Sequence, residues 1–94
     1  MDVPAPRAAG FGFAKIAPDA YGALVGLGKM VVASGLEPEL LELVKIRSSQ
    51  INGCAFCLQM HVTDARKLGM SEERLQLVIV WREAPVFSPR ERAA

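Results

Sequence analysis

Asn52-Gly53 divides two helical runs, and the two cysteines and the single histidine of this chain follow directly behind it. The first run opens at Glu37-Pro38-Glu39, with proline at an early helical position and carboxylates at the positive end of the helix dipole, and extends to about Ile51. The Asn-Gly pair breaks the pattern, and a second run begins at the cysteines and continues to Gly69. Cys54 and Cys57 therefore sit at a helix N-terminus, where unpaired backbone N–H groups and the dipole favour a thiolate, so both thiols are expected to be unusually acidic. At about 100° per residue Cys54, Cys57 and His61 share one face with Leu58, Ala65 and Leu68, while Gln59, Thr63, Arg66 and Lys67 point away. The reactive groups belong to the buried or half-buried side.

The rest of the chain reads as helices. Residues 1–16 hold Pro4, Pro6, Gly10 and Gly12 without a sustained period and suit an extended arm, with Phe11, Phe13 and Ile16 docking on something apolar. Pro18 and Asp19 open a helix to about Ser34, closed by Gly35 and apolar on nearly every side. Its Gly22, Gly26 and Gly28 would let another backbone come close, and Lys29 interrupts the apolar run, which favours a packed helix over a membrane span. In the next helix Arg47 falls near the middle of the apolar arc, where it is expected to snorkel or to meet a buried carboxylate as a structural pair in preference to contacting substrate. Ser71 caps a further helix, with Glu72 and Glu73 in its first turn, expected to run through Trp81 and stop before Pro85. Ser88-Pro89-Arg90-Glu91 starts a last one with a capping box, yet the sequence stops at Ala94. That short helix is either completed by contacts from another chain or belongs to a C-terminally shortened version of something longer. The expected fold is all-α: an arm over residues 1–16, then a single domain of about four helices over residues 17–94.

Ninety-four residues bury a small core, yet 51% of them are hydrophobic and two cysteines cannot build a disulfide scaffold, so homo-oligomerisation is the expected remedy. The net charge of +1 is mixed along the chain, which selects neither nucleic acid nor an anionic membrane as partner. The N-terminus lacks the regions of a signal peptide, and no uninterrupted apolar run spans a bilayer, so a soluble cytoplasmic protein is expected. In that compartment a C-x-x-C pair is catalytic or metal-binding more often than a structural bridge.

Several chemistries suit these residues. Two thiols one turn apart can close a disulfide, and an acidic thiolate can attack a peroxide and have its sulfenic acid captured by its neighbour. His61, four residues beyond Cys57, can take the proton, and a nearby carboxylate would hold the ring, although spacing alone does not say which acid. Alternatively, Cys54, Cys57 and His61 could ligate zinc with Glu42 or Asp64 as a fourth donor, but structural zinc sites draw a second Cys/His pair that this chain lacks. The cysteines could also be inert core residues. A Cys-His hydrolase fits the residue types less well than redox work, because a second cysteine stands beside the first. Gly22, Gly26 and Gly28 lie within a helical pattern and form no phosphate loop.

Glu42-x11-Cys54-x2-Cys57-x3-His61, with Gln50-Ile-Asn-Gly before the cysteines and Asp64-Ala-Arg-Lys-Leu-Gly69 after them, resembles the alkylhydroperoxidase D-like members of the carboxymuconolactone decarboxylase superfamily. Ser71-Glu-Glu-Arg and Trp81-Arg-Glu-Ala-Pro extend the resemblance over residues 36–92. It implies an all-helical, oligomeric enzyme, commonly trimeric or hexameric, with no metal and no bound organic cofactor. By the same resemblance Cys57 attacks the hydroperoxide, Cys54 resolves it as a disulfide, Glu42 and His61 form a proton relay, and a dithiol such as a dihydrolipoyl group is the reductant. The implied function is thiol-dependent peroxidase activity in antioxidant defence. The alternatives are a non-enzymatic oligomeric helical module or redox sensor, and a lactone decarboxylase, whose branch does not depend on a thiol pair. Two departures stand out: Ala55-Phe56 replaces the histidine that the best-known peroxidases carry between their cysteines, and family members continue well past the helix that Ser88 opens.

Overall fold

A computed structural model describes residues 12–94, in which six α-helices and one 3-10 turn occur and no strand. Residues 1–11, and with them most of the expected N-terminal arm, lie outside the described residues. The chain divides into two compact units, Met1–Leu36 and Glu37–Ala94.

In the first unit Phe13–Ile16 forms a short helix, α1, and Pro18–Ala33 forms α2. Residues 13–16 are thus helical where an extended arm was expected, with Gly12 in the left-handed conformation ahead of the turn and the Phe13 ring meeting Tyr21 edge-on at 6.3 Å. Helix α2 follows its predicted bounds, but none of its residues is buried: Leu24, Leu27, Met30 and Val32 are all more than half exposed. The burial expected for this helix is not found among the described residues. No helix among the described residues is long and apolar enough to cross a membrane.

The second unit holds the core. Helix α3 spans Pro38–Asn52 and α4 spans Ala55–Lys67. Gly53 joins them with φ 64°, a left-handed conformation that closes α3 and that a residue with a Cβ adopts only at a cost. The two helices pack as a hairpin around Ile46, which is fully enclosed, and Ala65 opposite. Met70, Leu75, Val78, Ala84 and Phe87 complete the cluster from the C-terminal segment. Gly69, at φ 91°, turns the chain out of α4, and Ser71 caps the next helix by accepting the N–H of Arg74.

That helix, α5, covers only Glu72–Leu77; Val78–Val80 tightens into a 3-10 turn instead of continuing through Trp81. Three consecutive β-branched residues have little helical preference, and the tighter turn drives Val78 into the core while leaving Ile79 and Val80 exposed. Arg92 donates to the carbonyls of Trp81 and Ala84, at 3.1 and 2.9 Å, and so satisfies acceptors that the turn leaves free.

The short last helix, α6 at Pro89–Ala93, has its capping box and is tied down within the chain. Arg90 makes a bidentate pair with Glu37 at 2.9 and 3.0 Å, and Arg74 bridges Glu91 and Glu39 over the Phe87 ring. Burial works to raise the Glu91 carboxyl, but the Ser88 N–H and the charge of Arg74 outweigh it and hold the group below its ordinary value of 4.5. A carboxyl whose folded-state pKa is depressed adds stability that is complete above the unfolded-state value and is lost as the pH falls through the folded-state one. Glu91→Gln should therefore flatten the acid limb of the stability profile and cost about 1 kcal/mol at neutral pH, measured by thermal melts from roughly pH 3 to 7. An unchanged acid limb would contradict this role of Glu91.

Candidate redox site

Cys54 is the N-cap of α4, in extended conformation, and its Sγ accepts the backbone N–H of Cys57 at 3.2 Å. The two cysteines are joined as a disulfide with their Cα atoms 5.3 Å apart. Both are half-buried, as the helical-face reading requires. One turn of helix links them because the chain enters α4 at Cys54, and that entry is fixed by the Cys54 N–H bonding back to the Ser49 carbonyl at 3.1 Å, across Gly53.

One turn further along α4, His61 Nδ1 lies 3.0 Å from Glu42 Oε2 on α3. These residues stand 19 positions apart in sequence, and the α3–α4 hairpin brings them together. Both are sheltered, with side chains 12% exposed for Glu42 and 17% for His61, so water competes weakly for their contact. Lys45 Nζ stands 4.0 Å from the other carboxylate oxygen of Glu42, a neighbour that its i,i+3 spacing could have indicated. Asp64, one turn beyond His61 and partly exposed, brings a carboxylate oxygen into the same group: the donor atoms of Glu42, His61 and Asp64 all lie within 4.8 Å of one another.

All four residues singled out in the sequence, Cys54, Cys57, His61 and Glu42, thus fall on the two facing helices of the hairpin. The acid that spacing alone left open is Glu42 in geometry. Of the apolar neighbours expected on the cysteine face, Ala65 is fully buried and Leu58 partly so, whereas Leu68 is 42% exposed beyond the end of the helix. Between the sulfurs, Phe56 points outward and is 63% exposed.

Arg47 finds an amide, not a carboxylate: its Nη1 donates to Gln50 Oε1 at 3.2 Å. It lines a cavity of about 380 Å³ with Ile51, Trp81, Phe87 and Arg92, and none of the four site residues borders that space. Arg82 stacks its guanidinium over Trp81, 4.9 Å from the ring centre, and likewise takes no part in the site.

Residues 18–94 match the profile of the carboxymuconolactone decarboxylase family. An uncharacterized protein, YdfG of Bacillus subtilis, is 42% identical over 80 residues, covering 85% of this chain and 54% of that protein. YnjA of Escherichia coli, also uncharacterized, is 34% identical over 61 residues, covering 65% of this chain and 34% of its own length. Among solved structures, a protein of unknown function from Agrobacterium tumefaciens, put forward as an antioxidant defence protein AhpD, is 48% identical with a TM-score of 0.78. That match covers 87% of this chain and 56% of the other. The chain therefore spans about half the length, or less, of these relatives.

Proposed function

The chain belongs to the carboxymuconolactone decarboxylase family, and from that premise we propose that it is a thiol-dependent hydroperoxide reductase of the alkylhydroperoxidase D-like branch. The observation that carries this reading is the Glu42–His61 contact one helical turn beyond a closed Cys54–Cys57 disulfide. A similar protein put forward for antioxidant defence supports the same direction.

In the proposed cycle, His61 takes the proton of the Cys57 thiol, and Glu42 holds the ring and balances the imidazolium that forms. The Cys57 thiolate attacks the outer oxygen of the hydroperoxide; the O–O bond breaks, the alkoxide leaves and is protonated by His61, and Cys57 becomes a sulfenic acid. Cys54 then attacks the Cys57 sulfur, expelling hydroxide, which leaves as water with the Cys54 proton, and the disulfide is formed. An external dithiol, for which a dihydrolipoyl group is the candidate, reduces it by exchange and becomes a disulfide itself. No resident metal or organic cofactor enters this cycle.

The proposal extends to the setting of the enzyme. The uncovered apolar surface of α2 supports assembly into a homo-oligomer, for which a trimer or hexamer is proposed, and the cytoplasm is the proposed compartment.

The direct test is a free-thiol count by mass spectrometry on the reduced protein, before and after about one equivalent of an organic hydroperoxide. Both thiols should disappear together and return on treatment with dihydrolipoamide. If both survive the peroxide, the cysteines are inert and a non-enzymatic helical module is the better account.

A further inference from the structure

The pair that relays a proton in this reading has the donor chemistry of a cation site. His61 Nδ1 and Glu42 Oε2 lie 3.0 Å apart, and Asp64 adds a carboxylate from the next turn of α4, all three donors within 4.8 Å of one another. Metal–nitrogen and metal–oxygen bonds of roughly 2.0–2.2 Å, drawn to two donors at that separation, subtend about 90° at the metal. One imidazole nitrogen and two carboxylates suit borderline divalent ions such as zinc better than a soft or a purely oxygen-seeking ion. The three side chains come from two helices already fixed by packing, so the backbone of the site is in place before the ion arrives and a side-chain rotation brings the outermost donor onto it. Asp64 is partly exposed and leaves the outer side open to water ligands.

We infer that Glu42, His61 and Asp64 form a binding site for a divalent first-row cation, with Zn²⁺ as its probe, and that the bound cation holds the proton relay shut. The ion occupies the place of the proton shared by Nδ1 and Glu42. In a neutral ring that proton moves to Nε2, and from an imidazolium it passes to solvent. With Nδ1 on the metal and Nε2 carrying hydrogen, the ring has no lone pair left to accept the Cys57 proton. This regulatory consequence rests on the peroxidase reading above; the cation site itself does not.

Neither sulfur is a free thiolate in the disulfide form, so that form isolates the proposed donor set from ordinary thiol binding. Calorimetric titration of the disulfide form with zinc chloride should give one ion per chain. Asp64→Asn, at a partly exposed position, should weaken binding roughly tenfold or more, and His61→Ala should abolish it. Lys45→Gln removes the ammonium beside Glu42 and should tighten binding severalfold. No zinc binding by the disulfide form, or binding unaltered in Asp64→Asn, overturns the site. In the reduced protein, zinc should slow peroxide-driven thiol loss in the parent and less so in Asp64→Asn. Zinc that binds without slowing it overturns the regulatory part. A chain that consumes no peroxide under any condition overturns the peroxidase reading and that regulatory part, while the titration of the disulfide form still decides the site.

Discussion

Cys57→Ser should reduce hydroperoxide consumption to the level of buffer, because the proposed cycle has no other atom to receive the peroxide oxygen. Cys54→Ser should behave differently. Its Cys57 still attacks once, but no partner captures the sulfenic acid, so one equivalent of peroxide disappears and turnover stops. The trapped sulfenic acid can be derivatised with dimedone and located at Cys57 by mass spectrometry. Both variants should fold, since serine is close to cysteine in size and Ser at position 54 remains a good N-cap. Undiminished turnover in both would sink the peroxidase proposal. A Cys57 thiol titrating near the unperturbed value of about 8.5, with no disulfide formed on oxidation, would favour an inert or sensing role.

The second large effect is expected at the relay. Loss of a positioned acid or base commonly costs on the order of 10²- to 10⁴-fold, and His61→Ala should fall in that range for the peroxide step. Glu42→Gln keeps a hydrogen-bonding group of nearly the same shape opposite the ring and removes the charge that balances an imidazolium. It should therefore slow thiol oxidation substantially while leaving the circular-dichroism spectrum and melting curve nearly unchanged. Because the two residues act through one contact, the double variant should be scarcely slower than His61→Ala alone. Full additivity of the two losses would mean that Glu42 acts elsewhere. The measurement is the pre-steady-state rate of thiol loss across a pH series, where the parent profile should lose its basic-group dependence in the His61 variant.

Much of this arrangement was legible from residue order. Caps at Ser71 and Ser88, the stop at Gly53 and the early prolines at positions 18, 38 and 89 place helix boundaries through local backbone chemistry, which needs no tertiary information. The shared face of Cys57 and His61 likewise follows from helical period. Glu42 could not be chosen that way: its partner is 19 residues away, and only the packing of α3 on α4 decides which acid meets the ring. The family resemblance named it instead. Asp64 was one of two acids considered for a cation, and the structure sets it beside the other.

Elsewhere tertiary effects outweigh helical period. The apolar pattern continues the helix through Val78, Ile79 and Val80, but core burial of Val78 selects a tighter turn. Arg47, half-buried, bonds the Gln50 amide on its own helix where a buried carboxylate was one of its two expected outcomes. The apolar sequence of α2 suggests packing, yet among the described residues its large side chains stay exposed.

The two-residue connection at Gly53 and Cys54 makes chain length as much a part of this site as residue type. Each residue added to or removed from a helix turns everything beyond it by about 100° and moves it about 1.5 Å along the axis. A single insertion between Glu42 and Gly53, or between Cys57 and His61, would swing the imidazole off the carboxylate or away from the sulfur. The segment from Glu42 to His61 cannot change in length without dismantling the contact between carboxylate and imidazole.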